Sequence, residues 1–337
     1  MKEIRGFETS LGAHVYQIPV EAFPGLWSYA YLVESGNGFV LIDSGSGFGD
    51  ANQELVEGIF AAGNKILGED FSLIDLSHVI ITHGHIDHIG GLGEIVSRSG
   101  ALVGVHELDR HTLVNYEERR AVLSRKLRKY LSEAGVDDEN KENLLGLYQF
   151  TKQLFHSINV DFCYEDLGMQ LGEFKFLHVP GHCPGHVVIR FHDILFCGDH
   201  ILSDITPHQS PEELMPFTGL DHYLKSLDAV EKWSYGVRIA LCGHKQVITD
   251  LTARIAEIRA AHIIRLEQVW DFFSYPQSIF TLAQTLFGSV NGYNALLAIE
   301  EAGAHVEYLY QRGNLVIENY DQLDNSDEPM TFLYKRQ

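Results

Sequence analysis

The run Leu76-Ser77-His78-Val79-Ile80-Ile81-Thr82 has the length and apolar density of a buried strand, and it passes without a spacer into His83-Gly84-His85-Ile86-Asp87-His88. Three imidazoles and a carboxylate thus fall within six residues at a strand end. Alternating side chains on such a loop can converge on one point. Neutral imidazole with carboxylate is the donor set zinc prefers and iron accepts. The plainer alternative is that these histidines merely cap the strand.

Four further strand ends carry the same signature. Gly38-Phe39-Val40-Leu41-Ile42 stops at Asp43, and Phe174-Lys175-Phe176-Leu177-His178-Val179 leads into Pro180-Gly181-His182-Cys183-Pro184-Gly185-His186. Ile194-Leu195-Phe196-Cys197 stops at Gly198-Asp199-His200, and Val237-Arg238-Ile239-Ala240-Leu241-Cys242 stops at Gly243-His244. Each end offers His or Asp beside Gly. Glycine there lets the backbone turn tightly and approach a bound ion.

These ordered motifs resemble those of the metallo-β-lactamase fold superfamily, over about residues 10–248. The resemblance implies an α/β (α+β) fold, a four-layer αββα sandwich with a two-metal site along one edge. It implies that His83, His85 and His182 hold a first metal, that Asp87, His88 and His244 hold a second, and that Asp199 bridges them. Asp43 matches a position that supports the ligands from behind. Two zinc ions are the implied cofactors, with iron or manganese as alternatives. His182-Cys183-Pro184-Gly185-His186 is similar to the glyoxalase II pattern, with Cys183 where Thr is common, and Lys245 follows His244 where Gly is frequent.

The implied chemistry is hydrolysis by a metal-bridging hydroxide, formed near neutral pH, of a small ester, thioester or lactone. Asp87 would orient the nucleophile, and His200 is a second catalytic candidate beside a ligand. His186 is a candidate for pocket shape or proton handling. Alternatives on the same fold are a phosphodiesterase or ribonuclease, or a persulfide dioxygenase with one iron on His83, His182 and Asp199. A non-catalytic binding protein is the remaining alternative, disfavoured by the intact ligand set. No Gly-x-Ser-x-Gly elbow offers a side-chain nucleophile.

A net charge of −21 argues against general affinity for nucleic acid or anionic membranes. No run reaches the 18 or so apolar residues of a membrane span, and the N-terminus lacks a signal-peptide pattern. Cys163, Cys183, Cys197 and Cys242 form no C-x-x-C pair and read as small packing residues in a reducing, cytoplasmic context. Residues 107–158 read as a charged helical insertion with a basic stretch from Arg119 to Lys129. That stretch is either a solvated helix face or a guide for an anionic small-molecule substrate. The expected domains are 1–248, catalytic, and 249–337, helical.

In the second domain, helices over 251–273, 278–287 and 293–301 precede an expected hairpin. Its strands would be 305–311 and 315–320 around Arg312-Gly313-Asn314, giving a winged-helix-like module. Twelve acids against six bases over 250–337 oppose DNA binding there and favour packing, a lid or a homodimer contact. The acidic tail, 321–329, reads as mobile.

Overall fold

The computed structural model describes residues 3–36, 38–151, 153, 155–323 and 329–337. Most of the acidic tail, 324–328, lies outside the described residues. The chain divides into two compact units that interleave in sequence. The first comprises 1–117, 154–207 and 226–255; the second comprises 118–153, 208–225 and 256–337. The second unit therefore gathers most of the helical insertion together with the C-terminal helices. Among the described residues no helix is long and apolar enough to cross a membrane.

The first unit holds two sheets. One runs β1 (Arg5–Glu8), β2 (His14–Phe23), β3 (Leu26–Ser35), β4 (Gly38–Ile42), β5 (Leu76–Ile80), β6 (Leu102–Val105) and β7 (Phe162–Cys163) in spatial order. The first four strands form an antiparallel meander, and β4 to β7 pair in parallel. The other contains β8 (Gln170–Leu171), β9 (Phe174–His178), β10 (Val187–Phe191), β11 (Ile194–Gly198) and β12 (Ile239–Cys242). Here β8 to β11 are antiparallel and β12 is parallel to β11.

Period-two alternation explains how the first sheet is covered on both faces. Tyr31, Val33, Val40 and Ile42 pack against Phe176, Ile189, Phe196 and Leu241 of the second sheet. Their neighbours Leu32, Phe39 and Leu41 turn the other way, onto Leu55 and Ile59 of helix α1 (Ala51–Leu67). This is the expected sandwich. Short helices α2 (Ile86–Ile89), α3 (Leu92–Ser99) and α4 (Glu107–Val114) follow in the same unit.

The second unit draws on α5 (Tyr116–Glu133), α6 (Asp138–Thr151), the first part of α7 (Leu220–Trp233) and most of α8 (Leu251–Phe272). It also contains α9 (Ile279–Phe287), α10 (Tyr293–Gln311) and α11 (Tyr320–Leu323). Its core includes Leu131, Tyr130, Leu282, Ile299, Ala302 and Val306. The expected hairpin is not formed. Residues 305–311 continue α10, and β13 (Leu315–Ile317) pairs instead with β14 (Tyr334–Arg336). Ala298, Ala302 and Ala304 favour helix, and Ala302, Val306 and Leu309 then bury one stripe at helical spacing. Local alternation in His305-Val306-Glu307-Tyr308 loses to that burial.

Candidate metal centre

Parallel strands ending side by side explain the site. Asp43 follows β4, His83 follows β5, His182 follows β9, Asp199 follows β11 and His244 follows β12. The loop after β5 enters α2 with His85 at its N-cap. Ile86 and Ile89 sink into the core of the first sheet, which turns Asp87 and His88 toward the other ligand candidates.

Three ring nitrogens meet first. His85 Nδ1 lies 3.1 Å from His83 Nε2 and 3.0 Å from His182 Nε2. The tautomer of His83 is fixed from behind. Thr82 Oγ1 donates to Asp43 Oδ2 at 2.8 Å, so it accepts from His83 Nδ1 at 3.1 Å and leaves Nε2 as a bare lone pair. Burial, followed by neighbouring His88 and His186, holds His83 well below the usual histidine range.

The second cluster is Asp87, His88, Asp199 and His244. His244 Nε2 lies 3.1 Å from Asp87 Oδ2 and 3.2 Å from Asp199 Oδ2. The same Asp199 oxygen is 3.9 Å from His182 Nε2, so it stands between the two clusters. His88 Nδ1 donates to Asp43 Oδ2 at 2.8 Å, and its Nε2 faces Asp199 Oδ1 at 3.4 Å. His88 Nε2 and Asp199 Oδ1 are both buried without a hydrogen bond of good geometry. Burial alone would push His88 down, but Asp199, Asp43 and Asp87 overcome it and hold His88 up to about 10. His244 is raised in the same way against its burial, chiefly by Asp199. Asp87 is lowered by His88 and His244 despite burial that would raise it. Three carboxylates thus demand positive charge at this point. Lone pairs crowded at ligand spacing and orphaned buried donors of this chemistry fit divalent metal.

Neighbouring backbone completes the frame. Asp43 sits at φ 59°, a left-handed conformation that Asp tolerates better than most residues. Its carboxylate accepts from Thr82 N at 2.8 Å as well as from Thr82 Oγ1 and His88. β3 holds the His244 loop, since Trp27 O accepts from His244 Nδ1 at 2.6 Å and Tyr29 N donates to Gly243 O at 2.8 Å. Tyr31 is buried and donates its hydroxyl to Cys242 O. A Cβ at Gly243 would fall 2.4 Å from Asp199 Oδ1, and one at Gly90 would fall 1.9 Å from Ser46 O. Glycine is therefore required where loop and ligands close on each other.

Of the remaining candidates, His186 is fully buried and accepts from Asp199 N at 3.1 Å. His200 is fully buried with its ring 5.8 Å from that of His186, and burial pushes it down to about 3. All four cysteines are buried and unpaired in disulfides. The sequence reading missed Asp109. This fully buried carboxylate on α4 accepts from Gly84 N at 2.8 Å and Gly185 N at 3.0 Å. Cys183 Sγ reaches it at 3.4 Å. One side chain therefore ties the His83–His85 loop to the His182 loop. In sequence it is an ordinary acid in a helical first turn; only the glycines at 84 and 185 hint that something packs closely there.

Comparison with known proteins agrees with this geometry. The family described as the metallo-beta-lactamase superfamily matches residues 25–244. "Probable metallo-hydrolase YqjP" of Bacillus subtilis (strain 168) is 27% identical over 311 residues, covering 85% of this chain and 91% of that protein. A hydroxyacylglutathione hydrolase of Shewanella pealeana is 24% identical over 192 residues, covering 55% of this chain and 52% of its own. A metallo-beta-lactamase family protein of Thermus thermophilus superposes with a TM-score of 0.73 at 23% identity, covering 96% of this chain and 98% of that one, a likeness of fold. Strand order, converging donors and the matched span lead to one assignment: this chain belongs to the metallo-β-lactamase superfamily.

Proposed function

We propose that the chain is a binuclear metal-dependent hydrolase acting on the carbonyl of a small ester, thioester or lactone. The observation that carries this reading is the meeting of two donor clusters at Asp199, whose Oδ2 lies 3.2 Å from His244 Nε2 and 3.9 Å from His182 Nε2. On this reading His83, His85 and His182 would hold one cation, Asp87, His88 and His244 would hold the other, and Asp199 stands between the two sets. Zinc suits the donors best; iron and manganese are acceptable. Two such cations, when bound, supply Lewis acidity and a water-derived nucleophile near neutral pH.

The chain's own residues do the positioning. Asp43 and Thr82 fix the tautomers of His88 and His83. Trp27 O fixes that of His244. Asp87 would orient the nucleophile, and the fully buried His200 would act from behind the ligands rather than on substrate. The similarity to a hydroxyacylglutathione hydrolase supports a thioester. The phosphodiester alternative has less to draw on, because at least two of the six bases between Arg119 and Lys129 are paired with carboxylates of their own unit. Arg128 pairs with Glu142, and Lys129 lies 3.2 Å from Glu133 and 3.4 Å from Glu213.

A zinc-loaded preparation screened against ester, thioester, lactone and phosphodiester panels is expected to hydrolyse an acyl substrate. That activity should vanish on chelation and return with zinc. Inactivity on every acyl substrate with zinc bound would sink the reading. Zinc binding should also release protons. At pH 7, His88 (about 10) and the raised His244 carry protons that ligation must displace. Calorimetry in buffers of differing ionisation enthalpy should therefore report net proton release on binding, and affinity should fall as pH falls.

A further inference from the structure

The second unit contains another buried donor cluster, far in sequence from the motifs above. α10 carries Glu301 and His305 one turn apart on one face, and α8 brings His262, with Arg265 a turn further on. His262 and His305 are fully buried, and Glu301 nearly so. His305 Nδ1 donates to the Glu301 backbone carbonyl at 2.7 Å. Its Nε2 is therefore a bare lone pair, oriented by the kind of outer bond that metal-binding histidines make. That Nε2 faces His262 Nδ1 at 3.1 Å. Two nitrogens bound tetrahedrally to one zinc stand ~3.3 Å apart. One donor atom from each of His262, Glu301 and His305 lies within 4.8 Å of the other two, and Glu301 Oε1 approaches His305 Nδ1 to 3.8 Å. The Glu301 carboxylate is itself steadied, by Arg265 at 2.7 Å on Oε1 and by Gln209 N at 2.7 Å on Oε2.

We infer that His262, Glu301 and His305 form a separate, structural metal site that takes a single divalent cation of the zinc class and clamps α8 to α10. The bland alternative is a His262–His305 hydrogen bond serving the same clamp. His262 Nε2 is buried with no hydrogen-bond partner on either account, so metal content is what separates them. Arg265 consumes part of the Glu301 charge, so the site is weaker than the three-carboxylate centre of the first unit. Two imidazoles and one carboxylate leave room for a fourth ligand, supplied by water in a site of this kind. The inference stands independently of the proposed hydrolase activity.

The test is metal analysis of the full chain after equilibration with zinc and removal of the excess. His305→Gln and His262→Gln should each lose about one equivalent relative to the parent while keeping its acyl-hydrolase rate. Should these variants fail to fold, a chain carrying His85→Ala and Asp199→Asn should still bind about one equivalent of cobalt, with visible absorption of a tetrahedral ion. Unchanged stoichiometry in folded His305→Gln and His262→Gln overturns the site, as does absence of cobalt in the His85→Ala, Asp199→Asn chain. If the parent holds about one zinc and His305→Gln removes it, this site stands and the binuclear centre fails.

Discussion

Asp199→Asn is expected to lower acyl hydrolysis by ~100-fold or more, at or beyond the upper end of what losing an outer-shell partner of a metal costs. The amide keeps the shape of the side chain but removes the charge shared by the two clusters. Asp199 Oδ1 faces His88 and Oδ2 faces His244 and His182, so a single substitution weakens contacts to both clusters. Zinc content measured alongside the rate should fall below that of the parent. Full activity with full zinc content would remove Asp199 from the proposed centre. Thermal stability is a poor reporter here, because the substitution also relieves repulsion between Asp199 and Asp87.

Asp109→Ala is expected to act differently, on stability and metal affinity together. Its removal orphans the buried Gly84 and Gly185 N–H groups, each costing about 1–3 kcal/mol, or about 2–6 kcal/mol in all. The loops carrying His83, His85 and His182 would then be free to drift. Zinc affinity of the folded protein should drop by ~10–100-fold, as for other outer-shell losses. Asp109→Asn retains one acceptor oxygen and should fall between the two. Denaturant unfolding and competition against a coloured chelator measure the two effects separately. A large stability loss with unchanged zinc affinity would reduce Asp109 to a packing role.

Much of this centre is legible in the chain. Each strand end announces itself by an apolar run that stops at Gly with His or Asp, because burial between two covered faces demands continuous apolar strands and a turn must follow. That pattern holds all seven ligand candidates, and the structure gathers them into the two clusters. Their support is legible only in part. Asp43 is readable as a position, but its grip on Thr82 and His88 spans 39 and 45 residues of sequence. Asp109 grips Gly84 and Gly185 across 25 and 76 residues, and nothing near it in sequence announces this.

The C-terminal region shows the opposite limit. Alternation over 305–311 suits a strand, and the correct outcome depends on whether Val306 and Leu309 find a core at helical spacing. Likewise, nothing local says that the helical insertion and the final helices belong to one compact unit. Which atoms can hold a cation is written in short stretches of chain, because donor chemistry and strand termination are properties of such stretches. Which tautomers those donors adopt, what pins their loops and where His262 meets His305 emerge only on folding, because such contacts join residues that are distant along the chain.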